Sequence, residues 1–138
     1  KVFDVRDGHG LKMLQESGVR LALITSRESR AVALRAANLG IDLVYQGVGE
    51  KLAVFEALLA QLGLDRSAAA YMGDDLIDLP VLCRCGLALS VPEAPLAVRE
   101  RAHYVTSAAA GRGAAREASE LILRAQGRLD ARIAAYLK

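Results

Sequence analysis

Residues 71–80, YMGDDLIDLP, place three carboxylates directly after a short apolar run. The run, AAAYM, has the composition of a buried strand, and Asp74, Asp75 and Asp78 begin where that strand would end. Crowded carboxylates repel one another unless a proton or a cation intervenes, and hard oxygen ligands are those that Mg²⁺ prefers. The stretch therefore predicts a strand that ends at a cation site.

Apolar runs of this kind alternate with helix-like segments along the chain. The runs predicted as strands are VRLALIT (19–25), DLVYQ (42–46), AAAYMG (68–73), GLALSV (86–91) and AHYVT (102–106). The segments between them carry apolar residues at spacings of three and four and are predicted as helices, and Gly18, Gly40 and Gly63 are predicted to end helices. The predicted helical segments are GLKMLQES (10–17), ESRAVALRAANL (28–39), KLAVFEALLAQL (51–62), LIDLPVLCRC (76–85) and APLAVRER (94–101). Strand and helix in strict turn predict an α/β fold with a doubly wound, mainly parallel Rossmann-like sheet, whose strands are apolar on both faces.

The composition of the 138 residues is that of one ordinary globular domain. The chain is 53% hydrophobic and 25% charged with a net charge of +2, and its basic residues are scattered. We therefore expect no nucleic-acid partner. No stretch has the length to span a bilayer or the pattern of a signal peptide, so we expect no membrane partner and a cytoplasmic location. Cys83 and Cys85 are expected to be reduced, partly buried packing residues.

Residues just beyond the strands are the candidates for chemistry, because ligands bind outside the carboxyl ends of the strands in open parallel sheets. Together these residues supply a hydroxyl, fixed cations and a cluster of carboxylates, which with Mg²⁺ would form a site for a phosphoryl group. They are Thr25, Ser26 and Arg27 after the first predicted strand, Lys51 after the second, and Asp74 and Asp75 after the third.

Each of these residues also has a purely structural interpretation. Asp74 or Asp75 can be the N-cap of the following helix, and Asp78 can be a helix-dipole or loop-anchoring residue. Thr25 alone can be a strand end, and Lys51 alone a solvated start of a helix. Their shared position at strand ends, and their order, favours a site.

That order resembles the haloacid dehalogenase superfamily of phosphohydrolases, whose second, third and fourth motifs are matched by ITSR, QGVGEK and YMGDDLIDLPVL. More closely, FDVRDGHGLKML, YVTSAAAGRGAARE and LILRAQG resemble the 3-deoxy-D-manno-octulosonate 8-phosphate phosphatase family, over essentially the whole chain. The resemblance implies a sheet of the haloacid dehalogenase type without a large cap domain, Mg²⁺ as cofactor and a homotetramer. The implied reaction is hydrolysis of 3-deoxy-D-manno-octulosonate 8-phosphate to the free sugar acid and phosphate via an aspartyl-phosphate, in lipopolysaccharide biosynthesis.

The same resemblance assigns roles to individual residues. Thr25 would hydrogen-bond the transferring phosphoryl group, and Lys51 would neutralise its charge. Asp74 would be a magnesium ligand, Asp75 would support the metal site and Asp78 would brace the loop.

Selectivity for a carboxylated sugar would require cationic and polar groups away from the phosphate. Glycines in the AGRG stretch would let the backbone approach a ligand closely. For Arg112, a solvated position in a flexible tail is an equally open alternative. The candidates for substrate binding are Ser26, Arg27, Arg112 and Arg6.

The chain departs from the superfamily pattern at one motif. The first, Asp-x-Asp after an apolar strand, is not in the chain, and Asp4 and Asp7 of FDVRDG stand three apart, so the nucleophile is carried onto neither. In the resembled fold that strand lies between the strands ending at Thr25 and Gly73, which would otherwise keep unpaired edges. We expect residues 1–138 to be one haloacid dehalogenase-like domain, N-terminally incomplete, with a Gly-rich stretch and helical tail over 107–138, and inactive alone.

Two other functions stay open at this stage. A phosphatase of a nine-carbon sugar acid 9-phosphate would share these motifs. A non-catalytic assembly domain would explain the missing nucleophile, but it would not require Thr25, Lys51 and Asp74 together.

Overall fold

Five short parallel strands form two separate sheets in the computed structural model, which describes residues 3–138. Each strand lies inside a run predicted as a strand, and the parallel pairing confirms the predicted α/β fold. The first sheet pairs β1 (Ala22–Ile24) with β2 (Leu43–Tyr45), and the second has the order β3 (Ala70–Met72), β4 (Leu87–Ser90) and β5 (Tyr104–Val105).

The helices lie between the strands and in the C-terminal tail. They are α1 (Val5–Glu16), α2 (Arg30–Asn38), α3 (Lys51–Leu62), α4 (Leu79–Leu82), α5 (Leu96–Arg99), α6 (Ala114–Ala125) and α7 (Leu129–Ala134), with 3₁₀ turns at Arg66–Ala68 and Leu76–Asp78. Helix α3 spans the predicted segment and ends at Gly63, whose φ of 67° favours glycine. None of the helices in residues 3–138 has the length and apolar character that crossing a bilayer needs.

Two helical predictions need correction. The segment 76–85 is not one helix but a 3₁₀ turn followed by α4, because Pro80 lacks an N–H and fits only the first turn of a new helix. The helical tail is divided into α6 and α7, since Gly127 between them has a φ of 70°.

Three clusters of buried side chains form the core. One packs α1 against α6 around Met13, Leu14 and Leu123. A second packs α2 against the β1–β2 sheet, and the third packs α3 and α4 against the β3–β4–β5 sheet. The third contains Cys85 as predicted, whereas Cys83 is exposed and does not pack there. The interior is therefore divided into three clusters, and β1 contributes side chains to two of them.

Within the described part of the chain, strands β1 and β3 are each paired on one side only. The Thr25 N–H donates to the Tyr45 carbonyl over 2.9 Å, and the Gly73 N–H donates to the Leu89 carbonyl over 3.1 Å. Because the backbone groups of successive residues point to opposite edges of a strand, the residues just before them, 24 and 72, turn their polar groups away from these partners. Among the described residues, no strand lies between β1 and β3.

These two strands are only partly buried, because the space between them is not filled by another strand of residues 3–138. Ala22 and Ala70 are exposed, and the other residues of β1 and β3 are only half-buried. In β4, which has a neighbour on each side, three of four residues are buried. Strands β1 and β3 are therefore less buried than β4, because nothing among residues 3–138 pairs with their free edges.

Candidate active site

A cleft of about 290 Å³ opens at the carboxyl ends of β1 and β3. It brings together the predicted residues Thr25, Lys51, Asp74 and Asp78, which come from three different parts of the chain. Its opposite wall is formed by the Gly-rich stretch and the start of α6, from Ala110 to Ala115. The sheet edges, the start of α3 and this wall thus enclose one site.

The buried carboxylate of Asp78 connects the parts of this site. Its Oδ1 accepts hydrogen bonds from Lys51 Nζ at 2.8 Å and from the Tyr71 hydroxyl at 2.6 Å. Its Oδ2 accepts from the backbone N–H groups of Asp74 at 3.0 Å and Asp75 at 3.2 Å. One carboxylate therefore fixes both the lysine at the start of α3 and the acidic turn after β3.

These bonds also set the charge of the site. Burial by itself would raise the pKa of the Asp78 carboxyl, but the hydrogen bonds from the ammonium, the phenol and the loop backbone outweigh it and hold that pKa below its usual value. Asp78 is therefore ionised at neutral pH, and it forms an ion pair with Lys51, whose side chain is 11% exposed.

The turn between β3 and the 3₁₀ turn is held from several sides. Ser90, fully buried in β4, donates its hydroxyl to the Gly73 carbonyl over 2.7 Å. The N–H of the same peptide group belongs to Asp74 and is bound by Asp78. A Cβ on Gly73 would lie 2.5 Å from the Cβ of Asp78, so only glycine fits there. The backbone position of Asp74 is consequently fixed.

Asp74 and Asp75 differ in what their carboxylates do. Asp75 is the N-cap of the 3₁₀ turn and accepts from the Leu76 N–H at 2.7 Å, in a capping box with Asp78. Asp74 is exposed, lines the cleft and has no hydrogen bond or ion pair from its carboxylate to other described residues. The structural interpretation of one acid as a cap therefore falls on Asp75, and Asp74 keeps its oxygens for a ligand.

A second groove, beside the cleft, shares Thr25 with it. Thr25 follows β1, and its hydroxyl oxygen accepts from the Arg27 N–H at 3.2 Å. Arg27 lines the groove together with Ser29 and Gln46, and both Ser26 and Arg27 are exposed. Of the ITSR residues, Thr25 therefore lines the cleft and the groove, Arg27 lines the groove, and Ser26 lines neither.

The Gly-rich stretch is attached to the rest of the protein by carboxylates. Glu117 accepts from the backbone N–H groups of Ser107 and Ala108 at 2.9–3.0 Å, and Glu93 accepts from that of Ala110 at 3.0 Å. Asp7, in α1, accepts from the N–H groups of Gly113 and Arg116 and so caps α6. These hydrogen bonds attach the stretch to α1, α6 and the loop after β4, so it forms one wall of the cleft.

Two of the predicted substrate-binding arginines differ in position. Arg112 is exposed and lies in the loop whose neighbouring Gly111 lines the cleft. Arg6 lines neither the cleft nor the groove, and its guanidinium pairs with Asp4 at 2.9 Å. Asp4 is the N-cap of α1, so this pair belongs to the start of that helix. The structure brings Arg112 near the site and leaves Arg6 outside it.

The donor set for a metal ion is small. Within residues 3–138, no group of three or more His, Cys, Asp or Glu side chains lies close enough together to hold a metal. Asp74 offers one exposed carboxylate at a fixed backbone position. Mg²⁺ keeps several water ligands and is commonly bound by one or two carboxylates together with substrate phosphate. Asp74 fits that mode of Mg²⁺ binding, in which water and phosphate supply the remaining ligands.

Two residues of the site were missed from the sequence. Tyr71 lies in β3 seven residues before its partner Asp78, and no local pattern indicates that bond. Ser90 was detectable, because it is a polar residue within the apolar run GLALSV, where burial requires a hydrogen-bond partner.

Comparison with known proteins gives consistent matches. A family model described as haloacid dehalogenase-like hydrolase matches residues 41–117. The chain is 46% identical over 130 residues to 3-deoxy-D-manno-octulosonate 8-phosphate phosphatase KdsC of Escherichia coli K12, covering 94% of this chain and 69% of that protein.

Solved structures agree over nearly the whole chain. A probable YrbI family phosphatase from Pseudomonas syringae has a TM-score of 0.98 at 50% identity, covering 100% of this chain and 78% of that chain. The 3-deoxy-D-manno-octulosonate 8-phosphate phosphatase from Moraxella catarrhalis, in complex with a magnesium ion, a phosphate ion and a KDO molecule, has a TM-score of 0.97 at 44% identity, covering 99% and 78%.

Proposed function

Because the chain belongs to the haloacid dehalogenase-like hydrolases, in the family of the 3-deoxy-D-manno-octulosonate 8-phosphate phosphatases, we propose that it acts as a Mg²⁺-dependent phosphatase on that sugar phosphate. The products are the free sugar acid and inorganic phosphate, in lipopolysaccharide biosynthesis. The observation that carries the proposal is the cleft in which Thr25, Lys51 and Asp74 meet.

Lys51 and Thr25 bind and stabilise the phosphoryl group. An ammonium has three donors, and Lys51 gives one of them to Asp78, which leaves donors for phosphoryl oxygens. The Thr25 hydroxyl already accepts from Arg27, so its own proton is available to donate. Fixed donors of this kind stabilise the charge on the transferring oxygens.

Asp74 would hold Mg²⁺, and Asp75 supports that role by capping the turn that follows. When bound, the ion supplies charge neutralisation at the phosphoryl oxygens. The fixed peptide between Gly73 and Asp74 orients the carboxylate, since its carbonyl and its N–H are bound by different side chains.

An aspartate on a further strand would supply the nucleophile. Asp78 is unsuited to attack, because its oxygens already accept four hydrogen bonds. A strand between β1 and β3 would bring two carboxyl groups to the cleft. The first would attack phosphorus and form an aspartyl-phosphate as the bond to the sugar oxygen breaks. The second would protonate that oxygen and then activate the water that hydrolyses the aspartyl-phosphate. In this proposal residues 1–138 are an N-terminally incomplete domain, with the stretch 107–138 as wall and helical tail, and are inactive alone.

Arg27, Arg112 and Ser26 would recognise the sugar acid. Arg27 lies in the groove beside the cleft, and Arg112 lies in the loop of the opposite wall. Both arginines are exposed residues, as a site for a carboxylate ligand requires.

Phosphate release by the full-length enzyme with Mg²⁺ tests the proposal. We expect faster release from 3-deoxy-D-manno-octulosonate 8-phosphate than from a nine-carbon acid 9-phosphate. Asp74→Asn should lower both activity and Mg²⁺ affinity, whereas Asp42→Asn, at the opposite end of β2, should change neither. The proposal is wrong if wild-type enzyme releases no phosphate from the eight-carbon substrate, and the metal role is wrong if Asp74→Asn binds Mg²⁺ as well as wild type.

We also propose a homotetramer, which the resemblance implies, and a cytoplasmic location, which the sequence leads us to expect. Light scattering coupled to gel filtration of the full-length protein would test the tetramer.

A further inference from the structure

The hydroxyl of Tyr71 lies at the cleft but has no part in the reaction described above. It donates to Asp78 Oδ1 over 2.6 Å, and Lys51 Nζ donates to the same oxygen over 2.8 Å. We infer that Tyr71 is a positioning residue that acts through Asp78 to hold the Lys51 ammonium ready for the phosphoryl group. This inference deepens the proposed function and rests on it, because it concerns the same site.

The two oxygens of Asp78 have separate tasks. Oδ2 binds the backbone of the acidic turn, and Oδ1 binds the two side-chain donors. A carboxylate oxygen accepts about two hydrogen bonds, so with Tyr71 in place Oδ1 has room for a single ammonium proton. The other protons of Lys51 are thereby left for the cleft.

The ring of Tyr71 is fixed by the same helix that carries Lys51. It packs edge-on against buried Phe55, with 6.2 Å between ring centroids and an angle of 81° between the planes. Phe55 lies one turn after Lys51 in α3. Tyr71 therefore contacts α3 directly through its ring and indirectly through its hydroxyl, and it sets the position of the start of α3 relative to β3.

Removal of the hydroxyl alone separates these two contacts. Burial and the neighbouring Asp78 carboxylate raise the pKa of Tyr71, so the phenol is a permanent donor at neutral pH. In Tyr71→Phe the ring keeps its packing against Phe55. Asp78 Oδ1, however, loses one of its two donors and draws the Lys51 ammonium closer. The ammonium then interacts less well with a phosphoryl group.

A double-mutant cycle on the full-length enzyme tests this coupling. Tyr71→Phe should lower kcat/KM about tenfold when Lys51 is present, the scale of one hydrogen bond to a charged group. In the Lys51→Met background the same change should cost less than about twofold, because the residue through which it acts is gone. Mg²⁺ affinity should stay within about twofold of wild type, whereas a general loosening of the acidic turn would weaken it.

A spectroscopic measurement tests the inference without activity. The ¹⁵Nζ resonance of Lys51 should shift in Tyr71→Phe. Tyr104→Phe is the matched control, since the Tyr104 hydroxyl also donates to a carboxylate, Glu117, over 2.6 Å, but with no lysine on that oxygen. It should lower thermal stability comparably and leave the Lys51 resonance unmoved.

The outcomes separate the two proposals. An equal loss of kcat/KM in both backgrounds, or an unshifted Lys51 resonance in Tyr71→Phe, overturns the role of Tyr71. If wild-type enzyme releases no phosphate, the proposed function fails, and the resonance then decides whether Tyr71 positions Lys51. A shifted Lys51 resonance, together with a loss of kcat/KM that occurs only when Lys51 is present, supports the inference.

Discussion

At the scale of single residues, the cleft depends on a buried charge that is compensated from every side. Asp78 is 2% exposed, and its partner Lys51, at the edge of the cleft, is largely buried. A buried ion pair adds little net stability compared with apolar packing, but loss of one partner leaves the other charged and unpaired. The free energy of unfolding is therefore much more sensitive to Asp78 than to exposed acids.

We predict that Asp78→Asn lowers the free energy of unfolding by about 3–5 kcal/mol, because it leaves the Lys51 ammonium buried without its counter-ion. The matched control is Asp65→Asn. Asp65 is also the N-cap of a 3₁₀ turn but is exposed, and asparagine caps nearly as well, so a change within about 0.5 kcal/mol is expected. Urea denaturation measures both, and equal losses would contradict the role of the buried pair.

A second residue-scale prediction concerns the space beside Asp78. Gly73→Ala should destabilise the protein by about 1–3 kcal/mol, because the new Cβ would overlap the Asp78 side chain and force it to move. Gly49→Ala introduces the same methyl in a loop with no atom within 4 Å, and should stay within about 0.5 kcal/mol of wild type. Thermal unfolding of the two variants decides, and similar melting temperatures would show that the acidic turn yields without cost.

At the scale of elements, the wall of the cleft is a loop that owes its order to side chains of other elements. Glu117 in α6 binds the start of the Gly-rich stretch, and it also accepts from the Tyr104 hydroxyl. Partial burial would raise the pKa of Glu117, but the hydrogen bonds from Tyr104 and from two backbone N–H groups lower it below its usual value. The anchoring of the wall is therefore sensitive to acid.

The stability supplied by Glu117 should depend on pH in a defined direction. Since its pKa is lower in the folded than in the unfolded protein, the unfolded chain binds more protons near and below pH 4.5, and stability falls as pH falls. The free energy of unfolding of wild type should exceed that of Glu117→Gln most at pH 6–7, and this difference should shrink as the pH drops below about 4.5. Among residues 3–138, Glu120, one turn away, pairs only with Arg116, so Glu120→Gln should lower the free energy of unfolding at pH 7 by less than Glu117→Gln does. A difference for Glu117→Gln that does not change with pH would contradict the assignment.

The sequence predicted those elements whose signals are local. Five apolar runs located the five strands, and the segment ending at Gly63 gave the bounds of α3. The expectation that ligands bind beyond strand ends located Thr25, Lys51 and Asp74 in the cleft, because parallel strands end at the same edge of the sheet. The Tyr71–Asp78 bond and the cap on α6 from Asp7, more than 100 residues away, arise from tertiary packing and leave no periodic trace.

At the scale of the whole molecule, the division of the sheet dominates. Two edges face each other across the cleft, and the cores beneath them are separate clusters. Unpaired backbone groups at a sheet edge are templates for another strand. In the proposed function, the strand that carries the nucleophile would also pair with both edges, so one added strand would complete the fold and the chemistry together.

Amide hydrogen exchange tests that conclusion. In the full-length enzyme the amides of Ile24 and Met72, which point into the gap, should exchange slowly because the added strand binds them. In a protein of residues 1–138 alone they should exchange on the order of 100-fold faster, relative to Leu23 and Tyr71, whose amides point to β2 and β4 in either case. The comparison within one sample removes differences in global stability. Fast exchange of Ile24 and Met72 in the full-length enzyme would show that no strand pairs with these edges, and the nucleophile would then have to reach the cleft by another route.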